Sequence, residues 1–449
     1  MYICGKITDN NMDSKELYAI YEQHPVITTD SRECPKGSIF IALKGDSFNG
    51  NQFAAQALEK GCAVAIVSDE QVYNDYHGDK QMVLVPDTLQ AYKDMAREHR
   101  RRFDIPVIGI TGTNGKTTTK ELVRAVLAER YDEMATEGNY NNDVGVPKTL
   151  FRLSVMHEIA VIEMGASHPG DIKTLAETAE PTCGLITNVG KAHLQGFGSL
   201  EGVIHTKGEL YDNLATREDS VIFVNADNEH LMGILPKGVK TECYTQDENK
   251  SGATVYGKII ACDPFLRLKW KGGENGEWHE VKTHLIGSYN LDNVLAAVTV
   301  GLHFDITAEQ ICHAIENYTP SNNRSQLTET EHNHLIVDAY NANPTSMAAA
   351  LDNFCLMEVS PKMAILGEMR ELGDSSAEEH RRIVEKLASC QFDEVWLVGK
   401  EFKDIDFTYR KFDDVEQVKA AIAANRPEGR YILIKGSNGT RLFQLPELL

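Results

Sequence analysis

Short runs of apolar, β-branched residues alternate with amphipathic stretches along most of the chain. In its middle part these runs read IPVIGITG, IAVIEMGA, CGLITNVG and SVIFVNAD. Between them, apolar residues recur at helical spacing, for example Leu122 with Val126 and Val123 with Leu127. Continuous apolar runs that alternate with helices are typical of a mostly parallel sheet covered on both faces. The pattern therefore predicts an α/β protein.

The strand and helix pattern divides the chain into three segments. The first, about 1–100, contains the strand-like runs SIFIALKG, CAVAIVSD and QMVLVPD. The second, about 101–318, carries an inserted polar hairpin near 255–286, marked by an Asn-Gly turn between alternating residues. The third, about 319–449, repeats the alternation with HLIVDAY, MAILGEM, EVWLVG and YILIKG. We expect three domains, each a central sheet flanked by helices.

The net charge, the apolar runs and the cysteines of the chain indicate which partners and which cellular compartment to expect. Lys plus Arg number 45 and Asp plus Glu 66, a formal charge of −21. Duplex nucleic acid needs clustered cations, so we expect no nucleic-acid partner. The sequence shows neither a secretory signal nor an 18-residue apolar run, which favours a cytoplasmic protein without stable membrane insertion. The 9 cysteines form no Cys-x-x-Cys pair, so we expect reduced thiols.

The stretch GITGTNGKTTTKEL combines a strand end, a Gly-rich loop and a helix start. Gly112 and Gly115 would let backbone N–H groups approach phosphate oxygens beside a helix N-terminus. Lys116 would reach the β and γ phosphates, and the Thr117 hydroxyl would ligate Mg²⁺. The strict nucleotide-loop motif places a glycine where Ile110 stands, so we expect a variant of that loop in a P-loop NTPase-like central domain. The alternative is a Gly-rich turn followed by a solvated lysine.

Polar stretches follow most of the predicted strands, where ligands of open α/β sheets bind. Glu163, directly after IAVI, is a candidate Mg²⁺ ligand, and the alternative is a solvated acid. His193 follows the next strand, but Mg²⁺ rarely takes imidazole. His193 therefore implies an unusual site or an indirect role.

Further candidates are amides and other polar groups at strand ends and helix starts. Each has a plain alternative, which is helix capping for the asparagines and surface exposure for the lysine. These candidates are Asn141, Asn142, Asn290, Asn293, Asp338, Tyr340, Asn341, Asn343 and Lys435.

Together, these motifs resemble the Mur ligase family, the ATP-dependent enzymes that build the peptidoglycan stem peptide. The GTNGKT loop, the Glu-x-Gly after a strand, His193 and the segment GSYNLDN are shared with a wider group that includes folylpolyglutamate synthetase. GNYNNDVGVPKTL, AHLQGFGSLEGVIHTKGEL, DAYNANPTSM and LGEMRELGDSSAEEHR resemble the members that add D-alanyl-D-alanine. TDSRECPKGSIFIALKGDSFNGNQF is similar to their nucleotide-sugar domain. The resemblance spans nearly the whole chain.

The resemblance implies an ATP-dependent amide ligase. ATP would phosphorylate the terminal carboxylate of UDP-N-acetylmuramoyl tripeptide, and the amine of D-alanyl-D-alanine would attack the acyl phosphate. The segment of about 1–100 would bind the UDP-sugar, that of about 101–318 would bind ATP, and that of about 319–449 would be a Rossmann-like domain. Mg²⁺ is the expected metal, and the expected protein is a monomer in the bacterial cytoplasm. Whether the third peptide residue is diaminopimelate or lysine stays open.

The resemblance also assigns roles to individual residues. Those expected to contact ATP are Thr111, Gly112, Thr113, Asn114, Gly115, Lys116, Thr117, Asn290, Asn293, Arg324 and Asp338. Those expected to contact the other substrates are Ser31, Arg32, Lys44, Gly45, Asn141, Asn142, Tyr340, Asn341 and Asn343. The expected catalytic residues are Lys116, Glu163, His193 and Lys207, and the expected metal ligands are Thr117, Glu163, His193 and Lys207 in carbamylated form. Carbamylation would turn a cation into an oxygen ligand, whereas the residue pattern alone fits a solvated helix lysine.

Three alternatives remain open. One is a Mur ligase that adds a diamino acid to the UDP-N-acetylmuramoyl dipeptide. A folate-type ligase is disfavoured by the segment of about 100 residues before the phosphate loop. From another class, a P-loop NTPase acting as a conformational switch would hydrolyse ATP without an amine acceptor.

Overall fold

The computed structural model describes residues 12–45, 47–320 and 326–449. These residues form two compact units. Unit one comprises the described residues of Met1–Pro106 with Thr136–His157 and Thr174–Glu180, and unit two those of Val107–Ala135, Glu158–Lys173 and Pro181–Leu449.

Unit one contains a parallel sheet and a small antiparallel ribbon. Its strands are β1 (Ile27–Thr28), β2 (Ile39–Ile41), β3 (Lys44–Gly45), β4 (Phe48–Asn49), β5 (Val64–Val67) and β6 (Gln81–Leu84). Its helices are α1 (Ser14–Gln23), α2 (Ala54–Lys60), α3 (Glu70–Asp75), α4 (Thr88–Arg100) and, from a later part of the chain, α6 (Gly145–Leu150). The parallel strands lie in the order β1-β2-β5-β6, and β3 pairs with β4.

Helix α4 shows how the sequence sets these elements. The Asp87 carboxylate caps its start by accepting hydrogen bonds from the backbone N–H of Leu89 at 2.8 Å and of Gln90 at 3.1 Å. Ala91 and Met95 follow at helical spacing and are buried in the core of unit one.

The first sheet of unit two extends the pattern of parallel strands. Its strands are β7 (Val107–Thr111), β8 (Glu133–Ala135), β9 (Ile159–Glu163), β10 (Cys183–Ile186), β11 (Val221–Asn225), β12 (Lys240–Thr245), β13 (Val255–Cys262), β14 (Phe265–Gly272) and β15 (His279–Ile286). The accompanying helices are α5 (Lys116–Leu127), α8 (Leu194–Phe197), α9 (Leu200–Leu214), α10 (Glu229–Gly233), α11 (Asn290–His303) and α12 (Ala308–Asn317), while α7 (Asp171–Ala179) begins in unit two and ends in unit one.

The strand order in this sheet is β15-β14-β13-β12-β11-β10-β7-β9-β8. Pairing is parallel from β8 to β13 and antiparallel from β13 to β15. The predicted hairpin is confirmed, because the Asn-Gly pair lies between β14 and β15. The ends of β10, β7 and β9 lie side by side, with Leu185 opposite Ile110 and Ile110 opposite Glu163. Three polar strand ends therefore meet at one edge.

The second sheet of unit two is covered on both faces. Its strands are β16 (Gln326–Glu329), β17 (His334–Asp338), β18 (Lys362–Gly367), β19 (Glu394–Val398), β20 (Arg410–Phe412) and β21 (Tyr431–Lys435), in the order β16-β17-β21-β18-β19-β20. Its helices are α13 (Pro344–Leu356), α14 (Ser376–Ala388) and α15 (Val415–Ala424). Along β18, Ala364 and Leu366 enter one buried cluster and Met363 and Ile365 the other.

Short 3-10 turns complete the described structure. They are Gly50–Phe53, Gly373–Ser375, Lys400–Phe402, Asn438–Thr440, Leu442–Gln444 and Pro446–Leu448. The predicted α/β class is thus confirmed. No helix in the part of the chain that the structure describes combines the length and apolar character that crossing a membrane requires.

The prediction that every cysteine is a reduced thiol is wrong for one pair. A disulfide joins Cys355, near the end of α13, to Cys390, just after α14, and their Cα atoms lie 5.8 Å apart. Helices α13 and α14 pack against each other, which brings together residues that are 35 positions apart in sequence. Spacing along the chain carries no sign of that helix pairing.

We expect Cys355→Ser to lower the free energy of unfolding by about 2–4 kcal/mol, because the crosslink restricts the unfolded chain. Urea unfolding without reductant measures this change. Cys312→Ser, at a half-buried free cysteine, is the matched control. Dithiothreitol should lower the unfolding midpoint of the wild type to that of Cys355→Ser, and a wild-type midpoint unaffected by dithiothreitol would contradict the crosslink.

Candidate active site

Two glycines shape the loop between β7 and α5. Gly112 has φ 144° and Gly115 has φ 78°, both in the region that favours glycine. A Cβ on Gly112 would lie 2.0 Å from Thr187 Oγ1, and one on Gly115 would lie 2.6 Å from Asn293 Oδ1. The loop therefore needs glycine at both positions for backbone conformation and for space.

The end of β10 holds this loop in place. The backbone N–H of Thr113 donates to the Asn188 carbonyl at 2.9 Å, and that of Asn114 donates to Asn188 Oδ1 at 3.0 Å. The Asn114 carbonyl accepts from Thr187 Oγ1 at 2.6 Å and from Asn188 Nδ2 at 3.0 Å. Thr187 and Asn188 were not among the predicted site residues, although they lie in a polar strand end of the kind that predicts a site.

Lys116 lies folded over the loop. Its Nζ donates to the carbonyls of Gly112 at 2.7 Å and Thr113 at 3.1 Å. The ammonium group is thus held at the mouth of the loop. Thr111, which was predicted to contact ATP, is buried. Its hydroxyl donates to the Met164 carbonyl at 2.8 Å, beside the end of β9.

Thr117 and Glu163 meet below the loop. Thr117 Oγ1 donates to Glu163 Oε2 at 2.9 Å, and the Glu163 residue is 1% exposed. A hydroxyl and a carboxylate are oxygen donors of the kind Mg²⁺ prefers. Within the described ranges, His, Cys, Asp and Glu side chains form no group of three or more that could hold a metal. A metal site here would therefore depend on other donors such as Thr117.

His193 lies at the start of α8, in contact with a carboxylate from the second sheet. Its Nδ1 contacts Glu371 Oε2. Burial holds the pKa of His193 below its usual range, and Glu371 opposes this effect. The cations Lys116 and Lys207 also lower this pKa. Glu371, like Thr187 and Asn188, was not among the predicted site residues.

Lys207 on α9 is a buried lysine, not a solvated one. The residue is 2% exposed, and its Nζ lies 5.4 Å from the centre of the Phe197 ring. Burial holds the pKa of the Lys207 ammonium well below its usual range, and the nearby Lys116 cation lowers it further. Asp171 and Glu209 act in the opposite direction. Burial therefore favours the uncharged, nucleophilic form of the amine over the charged form.

Asn290 and Asn293 are buried beneath the loop. Asn293 Oδ1 accepts from Thr119 Oγ1 at 3.0 Å, and Asn293 Nδ2 donates to Asn290 Oδ1 at 2.8 Å. Asn290 Nδ2 in turn donates to the Ile286 carbonyl at 2.8 Å. Asn293 thus ties α11 to α5, and Asn290 ties Asn293 to the end of β15. A contact of either amide with adenine stays a prediction.

The second sheet contributes Asn343 to the loop. Asn343 Nδ2 donates to Asn114 Oδ1 at 2.8 Å, while Asn343 Oδ1 caps α13 by accepting from Ser346 N at 2.9 Å. Asp338 lies at the end of β17, where its Oδ2 accepts from Lys435 Nζ at 2.5 Å. Lys435 is buried, and its ammonium group pairs with the Asp338 carboxylate.

The other residues predicted near this sheet follow Asp338 in the chain or lie before β16. Asn341 is exposed, and its Oδ1 accepts from the backbone N–H of Ala342 at 2.8 Å. Tyr340 directly follows the buried Ala339. Arg324 lies outside the residues that the structure describes.

The chain is similar in sequence to proteins of one known family. Three family descriptions match the chain, which are "Mur ligase family, catalytic domain" over 25–100, "Mur ligase middle domain" over 110–301 and "Mur ligase, glutamate ligase domain" over 323–438. The UDP-N-acetylmuramoyl-tripeptide–D-alanyl-D-alanine ligase of Bacillus subtilis is 33% identical over 448 residues, covering 95% of this chain and 93% of that protein. This chain belongs to the Mur ligase family.

Solved structures agree with this membership. The crystal structure of MurF from Acinetobacter baumannii superposes on this Mur ligase with a TM-score of 0.87 at 29% identity, covering 97% of this chain and 98% of that one. MurF from Thermotoga maritima, solved in complex with ADP, gives a TM-score of 0.85 at 26% identity, covering 96% and 97%. The predicted family is confirmed.

The residues of this Mur ligase predicted to bind the UDP end lie in unit one. Ser31 is buried, and its carbonyl accepts from Lys60 Nζ at 2.8 Å. The Arg32 side chain is 86% exposed and pairs with Asp30 at 2.6 Å, and hydrogen bonds from Arg32 lower the pKa of Asp30 to about 2. Lys44 and Gly45 form the exposed strand β3.

Asn141 and Asn142 also belong to unit one. Asn142 Oδ1 accepts from the backbone N–H of Gly145 at 2.9 Å, at the start of α6. This contact is the capping role that the sequence left as an alternative. The backbone N–H of Asn141 donates to the Asn139 carbonyl at 2.7 Å. Their contacts with a muramoyl peptide stay predictions.

Proposed function

We propose that this Mur ligase joins D-alanyl-D-alanine to UDP-N-acetylmuramoyl tripeptide at the expense of ATP. One observation carries the proposal, which is the loop of Gly112 to Thr117 held between Asn188, Glu163 and Asn343. The name of the Bacillus subtilis relative supports the two substrates, and the ADP complex of the Thermotoga maritima protein supports the nucleotide.

The reaction explains why a cation is held at the loop. A carboxylate is a poor electrophile until one of its oxygens becomes part of a leaving group. Transfer of the γ-phosphoryl group from ATP to the tripeptide carboxylate gives an acyl phosphate and ADP. This step brings two anions together, and Lys116 offsets their repulsion when its ammonium exchanges the carbonyls of Gly112 and Thr113 for phosphate oxygens.

The second step forms the amide bond. The amine nitrogen of D-alanyl-D-alanine attacks the acyl carbon, giving a tetrahedral intermediate. Collapse of that intermediate breaks the bond to the phosphate oxygen and releases phosphate, and the amine loses its proton. Burial of Lys207, Glu163 and Thr117 supports a site in which water competes poorly with the amine.

The donors around the loop fit Mg²⁺. Thr117 and Glu163 offer oxygen atoms within hydrogen-bonding distance of each other, and His193 and carbamylated Lys207 complete the proposed ligand set. When bound, Mg²⁺ would neutralise phosphate charge during transfer. Lys207 fits carbamylation because its amine is biased towards the uncharged form, and because a carbamate would face the Lys116 cation.

Other residues are assigned by the family and belong to the same proposal. Asn290 or Asn293 would contact adenine, Asp338 the ribose, and Arg324 a phosphate. In unit one, Ser31, Arg32, Lys44 and Gly45 would bind the UDP end, and Asn141 and Asn142 the muramoyl peptide. Tyr340, Asn341 and Asn343 would contact the other substrates.

We further propose three domains at about 1–100, 101–318 and 319–449, supported by the separate matches to 25–100, 110–301 and 323–438. The first would bind UDP-sugar and the second ATP. The third would be a Rossmann-like domain, supported by the parallel pairing of its strands β17 to β21. The two proposed nucleotide substrates, ATP and a UDP-linked peptide, are intracellular compounds, and they support a cytoplasmic enzyme. We propose a monomer.

Phosphate release tests the function. With ATP, Mg²⁺ and UDP-N-acetylmuramoyl tripeptide, we expect release to depend on added D-alanyl-D-alanine and to match amide product one to one. Release indifferent to the dipeptide would instead indicate an NTPase switch. Turnover only with UDP-N-acetylmuramoyl dipeptide and a diamino acid would indicate the other ligase. Parallel assays with diaminopimelate and lysine tripeptides identify the third residue.

A further inference from the structure

His193 and Glu371 face each other in an unusual backbone arrangement. His193 has φ 49° and Glu371 has φ 64°, so two residues with large side chains adopt left-handed conformations on the two sides of one contact. Such conformations are unfavourable for residues other than glycine and persist where the surrounding structure fixes them. The backbone N–H of Gln195 also donates to the Glu371 carbonyl at 3.2 Å.

The loop that carries Glu371 is fixed from behind. The backbone N–H of Met369 donates to His380 Nε2 at 2.9 Å, and His380 Nδ1 donates to the Ser376 carbonyl at 2.7 Å. The backbone N–H of Arg370 donates to Ser437 Oγ at 3.1 Å. These three bonds hold Met369 and Arg370, the two residues just before Glu371, without involving His193.

The contact has a chemical consequence for the imidazole. The Glu371 carboxylate lies against the buried Nδ1 of His193. A carboxylate beside one ring nitrogen favours the tautomer that carries its proton there. The lone pair is then on Nε2. Phe197 fixes the ring from the side, with its centroid 6.2 Å from that of His193 and its plane nearly perpendicular.

We propose that Glu371 is a positioning residue that keeps His193 in the Nδ1–H tautomer and presents Nε2 to the phosphoryl-transfer site. The proposal rests on the proposed function, because it concerns the same site. His193 follows β10 of the first sheet, and Glu371 follows β18 of the second. The second sheet therefore sets the state of a residue that belongs to the first.

The test compares Glu371→Ala with Lys191→Ala. Lys191 lies two residues before His193, and its Nζ is 2.7 Å from Oε1 of Glu379, on the helix α14 that follows Glu371. Glu379 keeps a second partner in Arg382 at 2.9 Å, so Lys191→Ala breaks an equivalent contact without leaving a buried charge unpaired. We expect Glu371→Ala to lower kcat and raise the Mg²⁺ concentration for half-maximal activity, each by 10- to 100-fold. KM for the UDP-tripeptide should stay within about twofold of the wild type.

A second readout does not use turnover. ¹⁵N NMR of metal-free protein labelled at histidine reports the tautomer of each ring, and the resonance that His193→Gln removes identifies His193. We expect the Nδ1–H tautomer in the wild type and in Lys191→Ala, and a shift towards Nε2–H in Glu371→Ala. Glu371→Asp should restore part of both effects. An unchanged thermal midpoint excludes unfolding as the cause.

The outcomes separate the two proposals. An Nε2–H wild-type ring, a tautomer unaffected by Glu371→Ala, or kinetics equal to those of Lys191→Ala would overturn the role of Glu371. If phosphate release proves indifferent to D-alanyl-D-alanine while the tautomer still depends on Glu371, the proposed function fails and the positioning of His193 stands.

Discussion

Lys116→Met should lower the D-alanyl-D-alanine-dependent release of phosphate by about 1,000-fold. The ammonium group already lies at the loop, 2.7 Å from the Gly112 carbonyl, so it needs only a short movement to reach a phosphate. Methionine keeps much of the side-chain volume and removes the charge. The effect should fall mainly on kcat, because repulsion between the anions is greatest during transfer.

Steady-state kinetics over ATP and UDP-tripeptide concentrations measure this effect. Lys237→Met, at an exposed lysine of the same unit, is the matched control and should keep wild-type kcat. If Lys116→Met retained more than about one tenth of kcat, Lys116 would not stabilise the transferring phosphoryl group.

The second large effect concerns Lys207. We expect Lys207→Ala to lower kcat by at least about 100-fold, because the proposed carbamate oxygen is lost. Carbamylation joins the uncharged amine to CO₂ and releases one proton, so it requires the deprotonated amine. Since burial depresses the pKa of Lys207, more of the amine is uncharged at a given pH than in a solvated lysine, and wild-type activity should fall as pH drops through that lowered pKa.

Three measurements check the carbamate. Removing CO₂ and bicarbonate should lower wild-type activity and leave the residual rate of Lys207→Ala unchanged. ¹³C NMR in labelled bicarbonate should show a carbamate carbon that is lost in Lys207→Ala. Acetate, which can place a carboxylate in the space left by the side chain, should restore part of the rate. Full activity of Lys207→Ala at ordinary bicarbonate would rule the modification out.

Buried strands and the Gly-rich loop between β7 and α5 could be predicted from the sequence, because both leave a continuous local signal. Each apolar run in the middle segment became a strand, and IAVIE over β9 is buried throughout. The strands that the pattern missed have mixed polarity, such as β12, whose first residue is exposed and whose last two are buried. An edge or half-covered strand does not need the apolar composition that marks a central one.

Contacts between distant parts of the chain left no such signal. Phe151 stacks on Tyr92 in unit one with ring centres 5.7 Å apart, although it lies in the segment predicted to bind ATP. Glu371 lies in a polar strand end, but only the packing of the second sheet brings it to His193. The Cys355–Cys390 crosslink likewise follows from the pairing of two helices. The local sequence pattern predicted which strand ends carry polar side chains. Which of those side chains contact each other depends on tertiary packing.

The side-chain amide of Asn343 makes two different hydrogen bonds, one with its oxygen and one with its nitrogen. Its oxygen completes the first turn of α13, and its nitrogen binds Asn114 on the nucleotide loop. Aspartate or serine could keep the helix start but would lose the amide donor, and glutamine would displace both atoms by one methylene. Few substitutions of Asn343 should therefore be neutral, since a residue that preserves the helix start still loses the hydrogen bond to the loop.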